Sequence, residues 1–121
     1  MKEKIIAILL LILILTYVVI NTVMLSNGIE EITNSVKGLD VGNSNSKNEA
    51  ESIYERYKDY ETYISLTVDH DDITNIEDCF VEMIGYLSVE DSDNAKVTKG
   101  RLISYLEHLR RLSGFNIDAI I

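Results

Sequence analysis

The only cluster of side chains in this sequence that looks like a reactive site is Asp69-His70-Asp71-Asp72. An imidazole among carboxylates can ligate a transition metal or Ca²⁺, and His-Asp pairs serve metal-dependent phosphohydrolases. Such centres draw further His or Asp ligands from along the chain. Here the one other histidine, His108, stands between Glu107 and Leu109, off the apolar seam of its helical pattern. An EF-hand is excluded as well, because the run lacks the central Gly and the Glu at the twelfth loop position. The same residues also make a well-formed helix start. Asp69 suits an N-cap, Asp71 and Asp72 suit the positive end of the helix dipole, and Val68 with Ile73 has hydrophobic-staple spacing. Capping is the first reading, and a weak cation site at Asp69–Asp72 is the alternative.

Nucleophilic catalysis has less support. Cys79 lies beside Phe80 on the flank of an apolar stripe, and a half-buried thiol without a neighbouring base is inert. The serines fall in caps and loops, with no Gly-x-Ser-x-Gly, no glycine-rich phosphate loop and no dinucleotide fingerprint. Tyr54, Tyr57, Tyr60 and Tyr63 recur every three residues and so drift around a helix. They read as two core rings and two amphipathic flankers with wet hydroxyls, rather than as a stacking strip for sugars or a partner. The expectation is a chain with no catalytic residue, no metal or cofactor ligand and no small-molecule substrate. It is not an enzyme on this reading.

The elements that position these residues begin with the run from Ile5 to Leu25, which carries no charge. As a helix it is about 32 Å long, enough for a hydrocarbon core of about 30 Å. Lys2 and Lys4 precede it, so the positive-inside rule keeps residues 1–4 cytoplasmic and exports the rest. A cleaved signal wants a shorter apolar core and a small-x-small site, and Val23-Met24-Leu25-Ser26-Asn27-Gly28 offers none. The expected product is a single-pass protein of the cell membrane, with the bilayer as its first partner.

Beyond the span, Ser26-Asn27-Gly28 reads as a break or kink, with Asn27 and Glu30 capping a restart. Residues 26–45 then hold a short helix, with Ile29, Ile32, Val36 and Leu39 on one face, and a Gly/Asn/Ser loop. Residues 46–114 hold three further helical seams. Ala50, Ile53, Tyr57, Tyr60 and Ile64 form the first, opened by a Ser46–Glu49 capping box. Ile73, Ile76, Phe80, Met83 and Leu87 form the second, widened by Ile84. Ala95, Thr98, Leu102, Tyr105, Leu109 and Leu112 form the third, with Ser92 as cap, Arg110 and Arg111 in the final turn and Gly114 as the stop. The segment 115–121 follows as an apolar tail that Phe115, Ile117, Ile120 and Ile121 require to be covered. The fold class is all-α: an N-terminal transmembrane helix, then a small antiparallel bundle of three to four helices.

The run Val68-Asp69-His70-Asp71-Asp72-Ile73-Thr74-Asn75-Ile76, the Tyr-rich helix before it and Phe115-Asn116-Ile117 resemble a bacterial family of short single-span proteins known only as a domain of unknown function. The resemblance covers most of the chain. It implies a membrane-anchored helical domain of endospore-forming and related Gram-positive bacteria, encoded beside larger membrane proteins, as an accessory subunit would be. It implies no activity and no catalytic residue. This chain departs from the pattern in having no Trp in the helix before the junction, where Tyr57 can substitute.

The chain has 121 residues and a net charge of −9, with one cysteine and no proline. With Lys2, Glu3 and Lys4 set aside, nine basic and nineteen acidic residues remain, a net of −10. That field repels nucleic acid and anionic headgroups. A lone Cys79 forms no internal disulfide, so the exported domain must hold together by packing. The function these features favour is a membrane-anchored interaction module, an accessory to another membrane protein or a homo-oligomer. An extracytoplasmic sensor of cations or cell-wall ligands is the alternative.

Overall fold

Apolar residues at spacings of three and four need a partner surface along their whole length, and four such stripes can satisfy one another. In the computed structural model the chain forms α1 (Lys2–Lys37), α2 (Ser46–Ile64), α3 (His70–Ser88) and α4 (Ser92–Ile120). The structure describes the backbone of residues 1–64 and 68–120, and their side chains apart from Thr22, Tyr63 and residues 113–120. No strand occurs among the described residues. Each helix packs on its neighbours in sequence, and α4 closes the ring against α1. Lys37–Glu107 with Glu30–Arg110, and Glu31–Arg56 with the Gly28–Tyr60 contact, show α4 and α2 running antiparallel to α1.

The core follows the four seams. Ile29, Ile32, Val36, Ala50, Ile53, Tyr57, Ile73, Ile76, Met83, Ala95, Leu102 and Leu109 are buried. Phe80 sits at the centre: the Tyr54 ring stacks on it at 4.9 Å and 17°, and the Tyr57 ring tilts over it at 5.4 Å and 32°. Two positions of the fourth seam differ from the expectation, since Leu112 is only half-buried and the place of Tyr105 is taken by its neighbour. Leu106 is fully buried, and Tyr105 is only half-buried. Where α4 meets both α1 and α3 its buried stripe must widen, and the purely apolar side chain takes the deeper place. The tyrosines also depart in one respect, since the Tyr57 hydroxyl is buried without a hydrogen-bond partner rather than wet.

The largest correction concerns Ser26-Asn27-Gly28. No break occurs there, and α1 runs as one helix of 36 residues, about 54 Å. The reason is packing. Gly28 is buried, and a Cβ built on it would come within 2.6 Å of the Tyr60 ring. The glycine thus admits the ring to the α1 backbone while keeping helical geometry, and the contact offsets the roughly 1 kcal/mol that Gly costs a helix interior. The expected stop at Gly114 is likewise absent, because α4 continues as helix to Ile120. Arg110 and Arg111 are therefore not in its final turn. Whether Phe115, Ile117, Ile120 and Ile121 pack internally lies outside the described side chains.

Helix starts are set one residue earlier than the two serine caps would have them. The Asn45 carbonyl accepts from the Glu49 N–H at 3.1 Å, with Ser46 already inside α2. The Asn43 carboxamide oxygen organises the approach by accepting from the Asn45 N–H at 3.1 Å. At α4 the cap is Asp91, whose carboxylate accepts from the Asn94 N–H at 3.2 Å. A carboxylate displaces the neighbouring Ser92 hydroxyl from this role because its full charge meets the helix dipole. Just before it, α3 ends in a Schellman turn with Glu90 at φ 58°, where the Asp91 N–H donates to the Tyr86 carbonyl at 2.9 Å.

Two substitutions test this packing by thermal unfolding of the full chain in detergent. Tyr57→Phe removes an unpartnered buried hydroxyl and should stabilise by about 1 kcal/mol, and a loss instead would show that the hydroxyl has a partner. Gly28→Ala should destabilise the chain when Tyr60 is present. In a Tyr60→Ala background the same change should reverse sign and gain up to about 1 kcal/mol of helix propensity. An equal effect in both backgrounds would refute the notch.

Candidate functional site

Asp69 has extended backbone geometry (φ −60°, ψ 138°) and caps α3, its carboxylate accepting from the Asp71 N–H at 3.4 Å. Its carbonyl accepts from the Asp72 and Ile73 N–H groups. Val68 packs against the core and Ile73 is buried, the arrangement that a staple requires. Asp69, His70 and Asp71 are exposed and Asp72 is half-buried. The His70 carbonyl accepts from the Thr74 hydroxyl at 3.0 Å, so the backbone of His70 is engaged in the helix. His108 is exposed on α4, a different helix, and nothing brings it to His70. Among the described residues no three His, Cys, Asp or Glu converge as metal ligands.

Cys79 is buried beside Phe80, and burial, the largest influence, pushes its thiol pKa up. A thiol held protonated is a poor nucleophile. Burial also raises the Tyr54 and Tyr57 hydroxyls above their ordinary value, most strongly Tyr57. Lys58 lies 4.3 Å from the Tyr54 ring centroid, a cation–π contact that covers the outer face of the aromatic pair. Tyr54 and Tyr57 thus form a wall around Phe80, while Tyr60 lies against Gly28 of α1. Crevices of about 450 and 470 Å³ occur along α2, one reaching Arg56 and Glu49 and the other Val41, Leu87 and Glu90. Neither is lined by His70, His108 or Cys79.

What the structure does assemble is a set of interhelical charge contacts. Lys37 meets Glu107 at 2.9 Å and Glu30 meets Arg110 at 3.4 Å, both joining α1 to α4. The Lys99 ammonium donates to the Leu39 carbonyl at 2.7 Å, tying α4 to the loop after α1. Arg101 pairs with Glu82 across α3 and α4 at 2.7 Å, and this hydrogen bond raises the Arg101 pKa. The hydrogen bond from Lys37 holds the Glu107 carboxyl below its ordinary value. A depressed carboxyl contributes stability above its unfolded value of 4.5, and that contribution is lost as the pH falls through the lower folded value. These pairs are exposed, so they serve register more than stability. The sequence holds no pairing signal for contacts so far apart in the chain.

A family model described as a domain of unknown function (DUF4363) matches residues 12–120. No curated protein and no solved structure matches the chain. The match begins inside the apolar run and extends through α4, so it covers the exposed helix and the bundle together.

The geometry of the junction yields one test. Asp69→Ala should cost about 1 kcal/mol by removing the cap, and His70→Ala should cost less. Micromolar Zn²⁺ or Ca²⁺ should leave the melting temperature of the full chain unchanged. A sharp rise that disappears in His70→Ala would show a cation site at the junction.

Proposed function

Since the chain belongs to the DUF4363 family of domains of unknown function, its role is read from its own geometry, and we propose a non-enzymatic, single-span membrane protein whose helical bundle is an interaction module accessory to another membrane protein. One observation carries this reading. The first part of α1 is long and apolar enough to cross a membrane, and its most apolar 18 residues have none of their number buried by the bundle. Ile5, Ile6, Ile8, Leu10, Leu11 and Leu13 are all more than half exposed, and together they fall on every side of the helix. A helix that is apolar all round requires cover all round, which lipid supplies and a protein groove does not. At about 1.5–3 kcal/mol per fully buried apolar side chain, leaving this segment in water would outweigh the stability of a domain this size.

The bundle side of the proposal rests on chemistry. Its composition is acidic, and Tyr54 and Tyr57 are packed around Phe80. The sensor alternative draws no converging ligand set from the described residues. Lys2 and Lys4 favour a cytoplasmic start and an extracytoplasmic bundle. Because α1 is one helix, the bundle is held at a fixed angle to the span, which suits a module docking on a neighbour in the same membrane.

A reporter active only outside the cytoplasm, fused after Ile121, should be active in cells. Activity from a cytoplasm-only reporter would reverse the orientation. Crosslinking in intact membranes should then trap a second, different membrane protein through the bundle. Recovery of this chain alone, or only of its own oligomers, would overturn the accessory role.

A further inference from the structure

The four helices do not end together. From the Glu82–Arg101 pair, twelve residues toward the start of α3 and twelve toward the end of α4 lead to His70 and residue 113. Helix α4 continues to Ile120, about two turns or 10 Å past the level where α3 begins. From the Glu30–Arg110 pair, ten residues along α4 reach Ile120, and ten back along α1 reach Ile20. The last turns of α4 therefore run level with residues 20–26 of α1, past the start of α3, while the Glu31–Arg56 pair puts Ile64, the end of α2, level with residue 23. Exposure on α1 becomes uneven at this level: Val18 and Val23 are 39% and 40% exposed and Leu25 is buried, while Ile20 and Met24 remain 54% and 66% exposed.

Composition changes along α4 in step with this geometry. Before Leu112 its exposed positions are polar or charged apart from Val97 and Gly100, and include Arg101, Ser104, His108 and Arg111. From Leu112 onward the sequence is Leu-Ser-Gly-Phe-Asn-Ile-Asp-Ala-Ile-Ile, in which Ile117 and Ile120, three apart, fall on one side of the helix and Phe115 on the opposite side. One face on α1 cannot accommodate all of them.

We infer that the end of α4 is a second membrane contact: residues 113–120 enter the interfacial layer of the bilayer beside α1, with Arg110 and Arg111 at the water boundary. The partner is the lipid surface on the bundle side of the membrane. Apolar side chains on opposite sides of α4, next to a helix that is itself apolar, fit an acyl environment, while the two arginines reach back toward phosphate and water. The bundle is then held at two points, which prevents it from swinging about α1. This inference rests on the proposed span.

The test uses the full chain with Cys79→Ser, reconstituted in phosphatidylcholine vesicles. An environment-sensitive fluorophore is placed on single cysteines at Leu11→Cys, His108→Cys, Ile117→Cys and Ala119→Cys, and lipids carrying shallow or mid-chain spin labels serve as quenchers. Labels at 11, 117 and 119 should be quenched by the lipids, and the label at 108 should not. Quenching at 11 but at neither 117 nor 119 overturns this inference while the span stands, and shielding from both water and lipid at 117 would assign the segment to protein packing. Quenching at none of the positions overturns the span and this inference together.

Discussion

Gly28 lets the Tyr60 ring lie against the backbone of α1, where a Cβ would come within 2.6 Å of the ring. That close approach seats α2 against α1 at this level. It brings α2 onto α1 without interrupting the helix, so the apolar segment and the bundle share one continuous rod. Leu25, Ile29, Ile32 and Val36 then line the inner face of that rod and meet the other seams. A broken helix at this point would have allowed the bundle to turn freely relative to residues 5–25. The continuous one fixes both its direction and its rotation.

Around that axis, burial and charge divide the work. Phe80, enclosed by Tyr54 and Tyr57, gives the bundle a centre of aromatic contacts, and the seams of α3 and α4 close over it. The charged groups stay outside and join neighbours at the rim: Glu30 and Lys37 to α4, Glu31 to α2, and Glu82 to α4. Exposed pairs of this kind add little free energy, but each is satisfied in only one register. Helix ends use the remaining polar residues, with Asp69, Asp91 and Asn43 all accepting from backbone N–H groups. Much of the polar chemistry that might have suggested a reactive site is thereby committed to architecture. Asp69-His70-Asp71-Asp72 is the clearest case, since the first residue caps α3 and the acids stand at its positive end.

The amino-acid sequence alone determined the helical class, the apolar segment 5–25, and nearly all of the buried seam. Those features depend on local periodicity and hydrophobicity, which a helix converts directly into a face. The cap at Asp69 was equally legible, because a capping residue acts on the amides immediately following it. Four things were decided only by tertiary structure. Gly28 continues a helix because Tyr60, 32 residues away, needs its missing side chain. Leu106 displaces Tyr105 from the core because α4 faces two helices at once, and Asn45 and Asp91 precede the two serines because the turns before them fix where the first helical carbonyl lies. Gly114 does not stop α4, which runs on as helix to Ile120. The first three turn on a contact between residues far apart in the chain or on the geometry of a turn, and periodicity along one helix contains neither.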